Sequence, residues 1–424
     1  MINTREMAIE CLLLIDTDGS YSNITINNIL RKYKLNINEK SFISALVYGT
    51  LERKITLDYI ITKLTDKPLS KIKPYIRCVL QMGVYQILYM DKIPDFAVVN
   101  ESVNLIKSNK KYNFATGFVN AVLRNVIRNK DAILPADDTV DGLSIKYSTP
   151  KWLVEMLINQ YDKEITINFL EDSLKPANTY IKVNTLKTDI NNLSCSFTNK
   201  GIIVEKTDVN NALKISNYGS ISELDEYKNG LFHIQDLASQ KAIMLFELSE
   251  NLDILDLCSA PGGKTFTMAE IMNDNSKITA CDIHNHRLDL IKSGADRLGI
   301  KNINVIKNDA TQYNGNLGKF DRVLCDVPCS GLGIIKRKPE IKFKNPFEFD
   351  ELPEIQYNIL STAVKYLKDD GVLMYSTCTI RKEENENVVL KFVDNNPEYK
   401  IISMKTFLPI THNCDGFFAC TISR

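Results

Sequence analysis

The chain has 424 residues, 44% apolar and 25% charged, which excludes both a single ordinary core and a disordered or fibrous chain and implies two or three globular domains. Its 52 basic and 52 acidic residues cancel, but residues 1–130 hold 19 Lys+Arg against 11 Asp+Glu, so a front module at +8 precedes a remainder at −8, a split that suits a nucleic-acid-binding attachment on an enzyme. The apolar stretch from Cys11 to Ile15, flanked by Glu10 and Asp16, is neither a signal peptide nor a membrane span, and ten scattered cysteines form no disulfide framework, so a cytoplasmic protein with reduced thiols and no membrane contact is expected.

In chain order, Ala8, Leu12, Leu13 and Ile15 share one face of a first predicted helix. Helical spacing recurs over 41–51, 72–90, 97–107 and 114–128, with Pro68, Pro74 and Pro94 as turn or first-turn residues. The prediction is an all-α bundle over 1–132. The run Arg77-Cys78-Val79-Leu80-Gln81-Met82-Gly83-Val84-Tyr85-Gln86-Ile87, then Val99-Asn100-Glu101-Ser102-Val103 and Asn113-Phe114-Ala115-Thr116-Gly117-Phe118, resembles NusB-like RNA-binding domains. A helical dimerisation or interaction module is the alternative, since a bundle alone specifies no function.

A linker is expected at 134–138, where Pro135 meets Asp137 and Asp138. A small α+β segment follows over 140–232, with a helix at 152–161 and alternating strands at 180–184 and 202–205. From 233 to 424 strands at 254–257, 277–281, 303–306, 322–325 and 372–375 alternate with helices at 265–273, 285–298, 352–368 and 382–395. Such alternation predicts a mostly parallel sheet covered by helices, binding ligands at the carboxyl ends of its strands.

The loop Cys258-Ser259-Ala260-Pro261-Gly262-Gly263-Lys264 joins the first of these strands to a helix. Gly262 and Gly263 permit close approach of backbone to a ligand, and the helix offers free N–H groups. Cys258 stands where a P-loop needs glycine, and the G-x-G-x-x-G spacing is missing, so a phosphate-free adenosine ligand such as S-adenosylmethionine is the better candidate. Asp282, ending the second strand, is placed for the ribose hydroxyls, and Asp309, after the third, for the adenine amino group. Lone aspartates more often cap helices or turns.

Two thiols follow two further strands, in Asp326-Val327-Pro328-Cys329-Ser330-Gly331 and Ser376-Thr377-Cys378-Thr379. Methylation at cytosine C5 needs a thiolate that adds to C6, an acid near N3 and a route for elimination. Cys378 and Cys329 supply thiols, Asp326 a carboxyl, and Lys264 a positive charge that favours a thiolate. Cys281 and Cys325 read as small buried hydrophobes, as does the thiol of Cys258. Cysteine and histidine spacing gives no metal site.

Together, Asp256-Leu257-Cys258-Ser259-Ala260-Pro261-Gly262-Gly263-Lys264-Thr265, the Pro328-Cys329 and Thr377-Cys378 motifs, Lys336-Arg337-Lys338-Pro339-Glu340-Ile341-Lys342 and Phe232-His233-Ile234-Gln235-Asp236 resemble the Nop/Sun family of RNA cytosine-5 methyltransferases over essentially the whole chain. With the NusB-like front end, the resemblance implies a Rossmann-like catalytic domain that uses S-adenosylmethionine on small-subunit (16S) ribosomal RNA. It implies that Cys378 attacks C6, that Cys329 assists release, and that Asp326, which also completes the expected cofactor set, contacts the cytosine. Ser259 and Val327 depart from the commoner alanine, and alanine or proline, without removing a reacting group. A monomer is expected.

Two other readings stay open. Methylation of an exocyclic amine wants an Asn/Asp-Pro-Pro-aromatic motif, and Cys329 occupies the aromatic position. A non-catalytic RNA-binding factor would draw support from residues 1–130 alone. The basic stretch Lys336-Arg337-Lys338 and Lys342-Phe343-Lys344 is expected to meet RNA phosphates and bases, or to be a solvated charge run.

Overall fold

The computed structural model of the protein describes residues 3–18, 22–33, 35–65, 67–130, 133–135 and 137–424. Residue 136 of the expected linker and residue 132, which ends the first expected domain, lie outside the described residues. The chain divides into two compact units: Met1–Lys175 with Arg337–Lys344, and Pro176–Lys336 with Asn345–Arg424.

The first unit is helical: α1 (Thr4–Asp18), α2 (Ser22–Lys32), α3 (Ile37–Glu52), α4 (Lys54–Lys63), α5 (Pro74–Tyr89), α6 (Asp95–Ser108), α7 (Thr116–Asn129), α8 (Val140–Lys146), α9 (Lys151–Tyr161) and α10 (Lys163–Ser173). Ala8, Leu12 and Ile15 of α1 enter one core with Leu46 and Val47 of α3, Val79 and Met82 of α5, and Val119 and Leu123 of α7. Pro74 opens α5 and Pro94 caps α6, both where a missing N–H costs nothing. Sequence reading missed α2, whose Asn27 and Asn28 are poor helix formers, and α4, separated from α3 by Arg53 alone.

The segment Arg337–Lys344 completes this unit. Glu340 accepts hydrogen bonds from the Ser22 N–H (3.3 Å) and hydroxyl (2.9 Å), and Lys342 is buried, donating through Nζ to the Glu52 carbonyl at 2.9 Å. The expectation that Lys342 meets RNA phosphates is therefore corrected: its ammonium is spent on a helix end inside the protein. Burial pushes that ammonium down to about 7, against the pull of Glu52. An unfolded lysine keeps its ordinary value near ~10.4. The native state thus binds fewer protons, and stability rises with pH between those two values, the penalty of the buried charge being fully present below the lower one. Lys342→Met is expected to stabilise the protein at about pH 6 by about 1–4 kcal/mol and to flatten that rise. Urea unfolding at about pH 6 and about pH 9 measures both, and an unchanged slope would assign the pH dependence elsewhere.

The second unit begins with a four-stranded antiparallel sheet in the order β2–β3–β1–β4, made by β1 (Thr179–Val183), β2 (Ile203–Lys206), β3 (Ala212–Ser216) and β4 (Phe232–Ile234), with α11 (Ile190–Asn199) and α12 (Asp225–Lys228) between its strands. After α13 (Leu237–Met244) come β5 (Asp253–Asp256), α14 (Gly263–Ile271), β6 (Lys277–Asp282), α15 (Asn285–Leu298), β7 (Ile303–Lys307), β8 (Phe320–Asp326), α16 (Leu352–Ala363), β9 (Leu367–Thr377), α17 (Glu386–Asn395), β10 (Lys400–Phe407) and β11 (Phe417–Ser423). Their sheet runs β10–β11–β9–β8–β5–β6–β7, parallel from β9 to β7 and antiparallel at β11 and β10.

Strand alternation sends neighbours to opposite faces. Leu255, Val323, Cys325, Leu373 and Tyr375 pack with Ile359 and Leu360 of α16 and Val389 and Phe392 of α17. Ile254, Leu324 and Met374 pack with Phe266 and Met268 of α14 and Ile291 and Leu298 of α15. The chain winds from β5 outward to β7, then returns to β8 on the other side of β5, which makes the β5/β8 boundary the switch point where such sheets open a crevice. No helix among the described residues is long and apolar enough to cross a membrane.

Candidate active site

Every expected site residue lies at or just beyond the carboxyl end of a parallel strand. After β5 the chain turns through Leu257–Gly262 into α14, with a cis peptide at Ala260-Pro261. Gly262 has φ 107°, a conformation open to glycine, and a Cβ there would lie 2.4 Å from the Phe266 ring. Gly263 has only Gln235 near its added Cβ, at 3.8 Å, so its backbone stays open to a ligand. Ser259 donates its N–H and its hydroxyl to the Cys281 carbonyl, both at 2.9 Å, pinning the loop to β6. The departure from alanine at 259 thus adds an anchor.

A cleft of ≈ 200 Å³ opens at the switch point, lined by the loop residues Cys258, Ser259, Ala260, Pro261, Gly263 and Lys264, by Asp256 and Asp326 at the ends of β5 and β8, and by Gln235, Asp236 and Ser239 beside α13. Asp256 is fully buried; Oδ2 accepts from the Thr265 hydroxyl at 2.7 Å, while Oδ1 has no hydrogen-bond partner. Burial pushes this carboxyl up to about 7. The Gln235 amide nitrogen is likewise buried and unpaired. Orphaned polar atoms of both kinds in a lined cleft fit a ligand bearing donors and acceptors, as the amino-acid end of S-adenosylmethionine does.

Asp282 and Asp309 sit outside the residues lining this cleft. The Asp282 carboxylate accepts from the His284 N–H (2.9 Å) and from Arg287 (3.4 Å), and Asp309 accepts from the Thr311 N–H (2.9 Å) and hydroxyl (2.7 Å). Both therefore perform the turn-capping role that lone aspartates usually take. Each carboxylate oxygen carries two lone pairs, so capacity for a ligand remains.

Asp326 ties the cleft to the thiols. Oδ2 accepts from Lys264 Nζ at 2.7 Å and Oδ1 from the Ser376 hydroxyl at 2.8 Å, across the adjacent strands β8 and β9. The Lys264 ammonium also lies 4.8 Å from the Phe417 ring centre. Its charge, expected to favour a thiolate, is committed to Asp326. Cys329 and Cys378 face each other with sulfurs 3.2 Å apart. The contact with Cys378, and then burial, push the Cys329 thiol well up from the ordinary range. Cys258, Cys281 and Cys325 are raised by burial and lie in the apolar packing, as expected of structural thiols.

Sequence reasoning missed Glu384 and Asn385, both fully buried against these loops. Their signal was a Glu-Asn pair six residues beyond Cys378, hidden because 382–395 reads as one helix. The chain instead makes a 3-10 turn (Lys382–Glu384), and α17 starts only after Asn385.

Residues 243–423 match the 16S rRNA methyltransferase RsmB/F family, residues 2–128 the NusB family, and residues 149–222 the ferredoxin-like domain of RsmF/B-like methyltransferases. Fold and site thus define a Rossmann-like methyltransferase with a NusB domain in front. The chain is 34% identical to the probable ribosomal RNA small subunit methyltransferase B of Bacillus subtilis, covering 100% of this chain and 99% of the relative, and 30% identical to that of Synechocystis, covering 100% of both. It belongs to the ribosomal RNA small subunit methyltransferase B family. In fold it is similar to the crystal structure of PH0851 (TM-score 0.83, 23% identity, 100% of this chain and 99% of that one) and of NSun6 from Pyrococcus horikoshii with SFG (TM-score 0.60, 22% identity, 65% and 98%).

Proposed function

We propose that this protein methylates C5 of a cytosine in 16S, small-subunit ribosomal RNA, with S-adenosylmethionine as cofactor and by covalent addition of a thiolate to C6. The observation that carries the reading is the pair of sulfurs 3.2 Å apart beside a carboxylate that also lines a nucleotide-type cleft. Membership of the family supports the RNA substrate. The same reading carries the division into 1–132, 140–232 and 233–424, and action as a cytoplasmic monomer.

Residues 258–264, Asp282, Asp309 and Asp326 would hold the cofactor. When bound, it supplies an electrophilic methyl group. Cys378, as the thiolate, forms the S–C6 bond while the C5=C6 π bond opens and its electron pair is shared by C5 and N3, which makes C5 nucleophilic. After methylation a base takes the C5 proton, the C5=C6 bond re-forms and the S–C6 bond breaks, returning the thiolate. Cys329, held protonated by burial and by its partner, donates toward the Cys378 sulfur and assists that departure. Asp326, buttressed by Lys264 and Ser376, presents its carboxyl to the cytosine.

Nucleoside mass spectrometry of small-subunit RNA treated with the purified protein is expected to find 5-methylcytidine. Cytidine methylated on the exocyclic amine would overturn the reading. Asp282→Ala is expected to weaken cofactor binding by about 1.5–3 kcal/mol, the scale of charge-assisted hydrogen bonds. Calorimetry showing unchanged affinity in the folded variant would remove Asp282 from the site.

A further inference from the structure

We infer that Glu384 and Asn385 are positioning residues, two consecutive side chains that separately brace the release thiol and the attacking thiol. This rests on the two-thiol reading above. Glu384 Oε2 accepts from the Ser330 N–H at 2.8 Å and from Gln356 Nε2 at 2.9 Å, and that same amide nitrogen donates to the Pro328 carbonyl at 3.0 Å. The neighbours of Cys329 on both sides are therefore held. Asn385 does the same for Cys378: Oδ1 accepts from the Thr377 hydroxyl, and Nδ2 donates to the Thr379 carbonyl at 3.0 Å.

One further bond locks the two loops together, between the Ser330 and Thr379 hydroxyls at 2.8 Å. The Tyr375 hydroxyl on β9 fixes the Glu384 carbonyl from below. Glu384, Asn385 and Gln356 are all fully buried, so water cannot replace what these side chains supply. The backbone reflects the same demand: Asn385 has φ −112° and ψ −101°, outside helical values, between the 3-10 turn and α17. A continuous helix over 382–395 would give up that placement.

The two braces act on different steps, and that separates them from general stabilisation. Loosening residues 328 and 330 disturbs Cys329 and release; loosening residues 377 and 379 disturbs Cys378 and attack. Single-turnover reactions with small-subunit ribosomal RNA from cells lacking the protein resolve adduct formation from adduct decay on denaturing gels. Glu384→Ala is expected to slow adduct decay about tenfold or more while changing adduct formation less than roughly threefold. Asn385→Ala is expected to give the reverse split. Glu384→Gln keeps an acceptor for the Ser330 N–H and should restore decay, whereas Asn385→Asp loses the donor to Thr379 and should not restore formation.

Equal slowing of both steps in either alanine variant, or decay at the parental rate in Glu384→Ala, would overturn the inference. If the alanine variant at 384 does not fold, slow decay in a folded Glu384→Gln would overturn it too, by making the charge the active property. Cys329→Ala in the same assay keeps the two claims apart. An adduct trapped by that variant, with no step-specific defect at 384 or 385, defeats the braces alone; no adduct from it defeats the two-thiol reading and the braces with it.

Discussion

Cys378→Ala is expected to abolish methylation, lowering the rate by on the order of ten-thousandfold or more, because without a sulfur to add at C6 the C5 carbon keeps its aromatic reluctance toward an electrophile. Cofactor affinity should be unchanged, since Cys378 neither lines the cleft nor belongs to the residues proposed to hold the cofactor. The fold should also survive. The side chain is only partly buried, packed beside the cluster of Phe407, Cys414 and Phe417, and removing one sulfur there leaves a small gap. Methyl incorporation measured alongside calorimetric cofactor binding separates the outcomes: activity within tenfold of the parent would take the nucleophile away from Cys378.

Gly333→Ala is expected to be as damaging without touching a reacting atom. Gly333 N–H donates to the Cys378 carbonyl at 3.1 Å, and its own carbonyl accepts from Gly416 N–H at 2.9 Å. A Cβ on Gly333 would lie 2.0 Å from the Gly416 carbonyl oxygen and 2.8 Å from that of Cys378. These neighbours are backbone, held by β9 and β11, so they cannot swing aside as a side-chain tip could. A destabilisation of about 3 kcal/mol or more is expected, with loss of methylation disproportionate to it because the Cys378 loop must shift. Denaturant unfolding and methyl incorporation on one preparation test this; parental stability would mean the two backbones can part.

The parallel strands were legible because each is a short apolar run closed by a turn residue, and the expected helix at 285–298 coincides with α15. The C-terminal pair was not. β10 carries Lys400 and Lys405 and is half exposed at the sheet edge, and β11 is an apolar run that could as well have been a buried helix segment. Helix 352–368 was read too long because Leu367 pairs with Phe320 and starts β9 instead. At the site, the glycine turn, Asp326 and the two cysteines were readable because each lies at a strand end in the sequence itself.

What could not be read depends on distant partners. Lys342 looks like part of a solvated basic run until Glu52, far earlier in the chain, takes its ammonium. Glu384 and Asn385 look like the opening of a polar helix until the two cysteine loops claim their side chains. Local pattern sets the period of an element; only the fold shows which polar atoms it must satisfy.

The covalent role of the two thiols is tested most directly by incubating Cys329→Ala with cofactor and small-subunit RNA and running the product on a denaturing gel. A protein–RNA adduct is expected to accumulate and to vanish when Cys378→Ala is added in the same chain, because attack and methylation proceed while release is blocked. An adduct formed instead by Cys378→Ala would make Cys329 the nucleophile, and methylation by both single variants with no adduct from either would contradict covalent catalysis altogether.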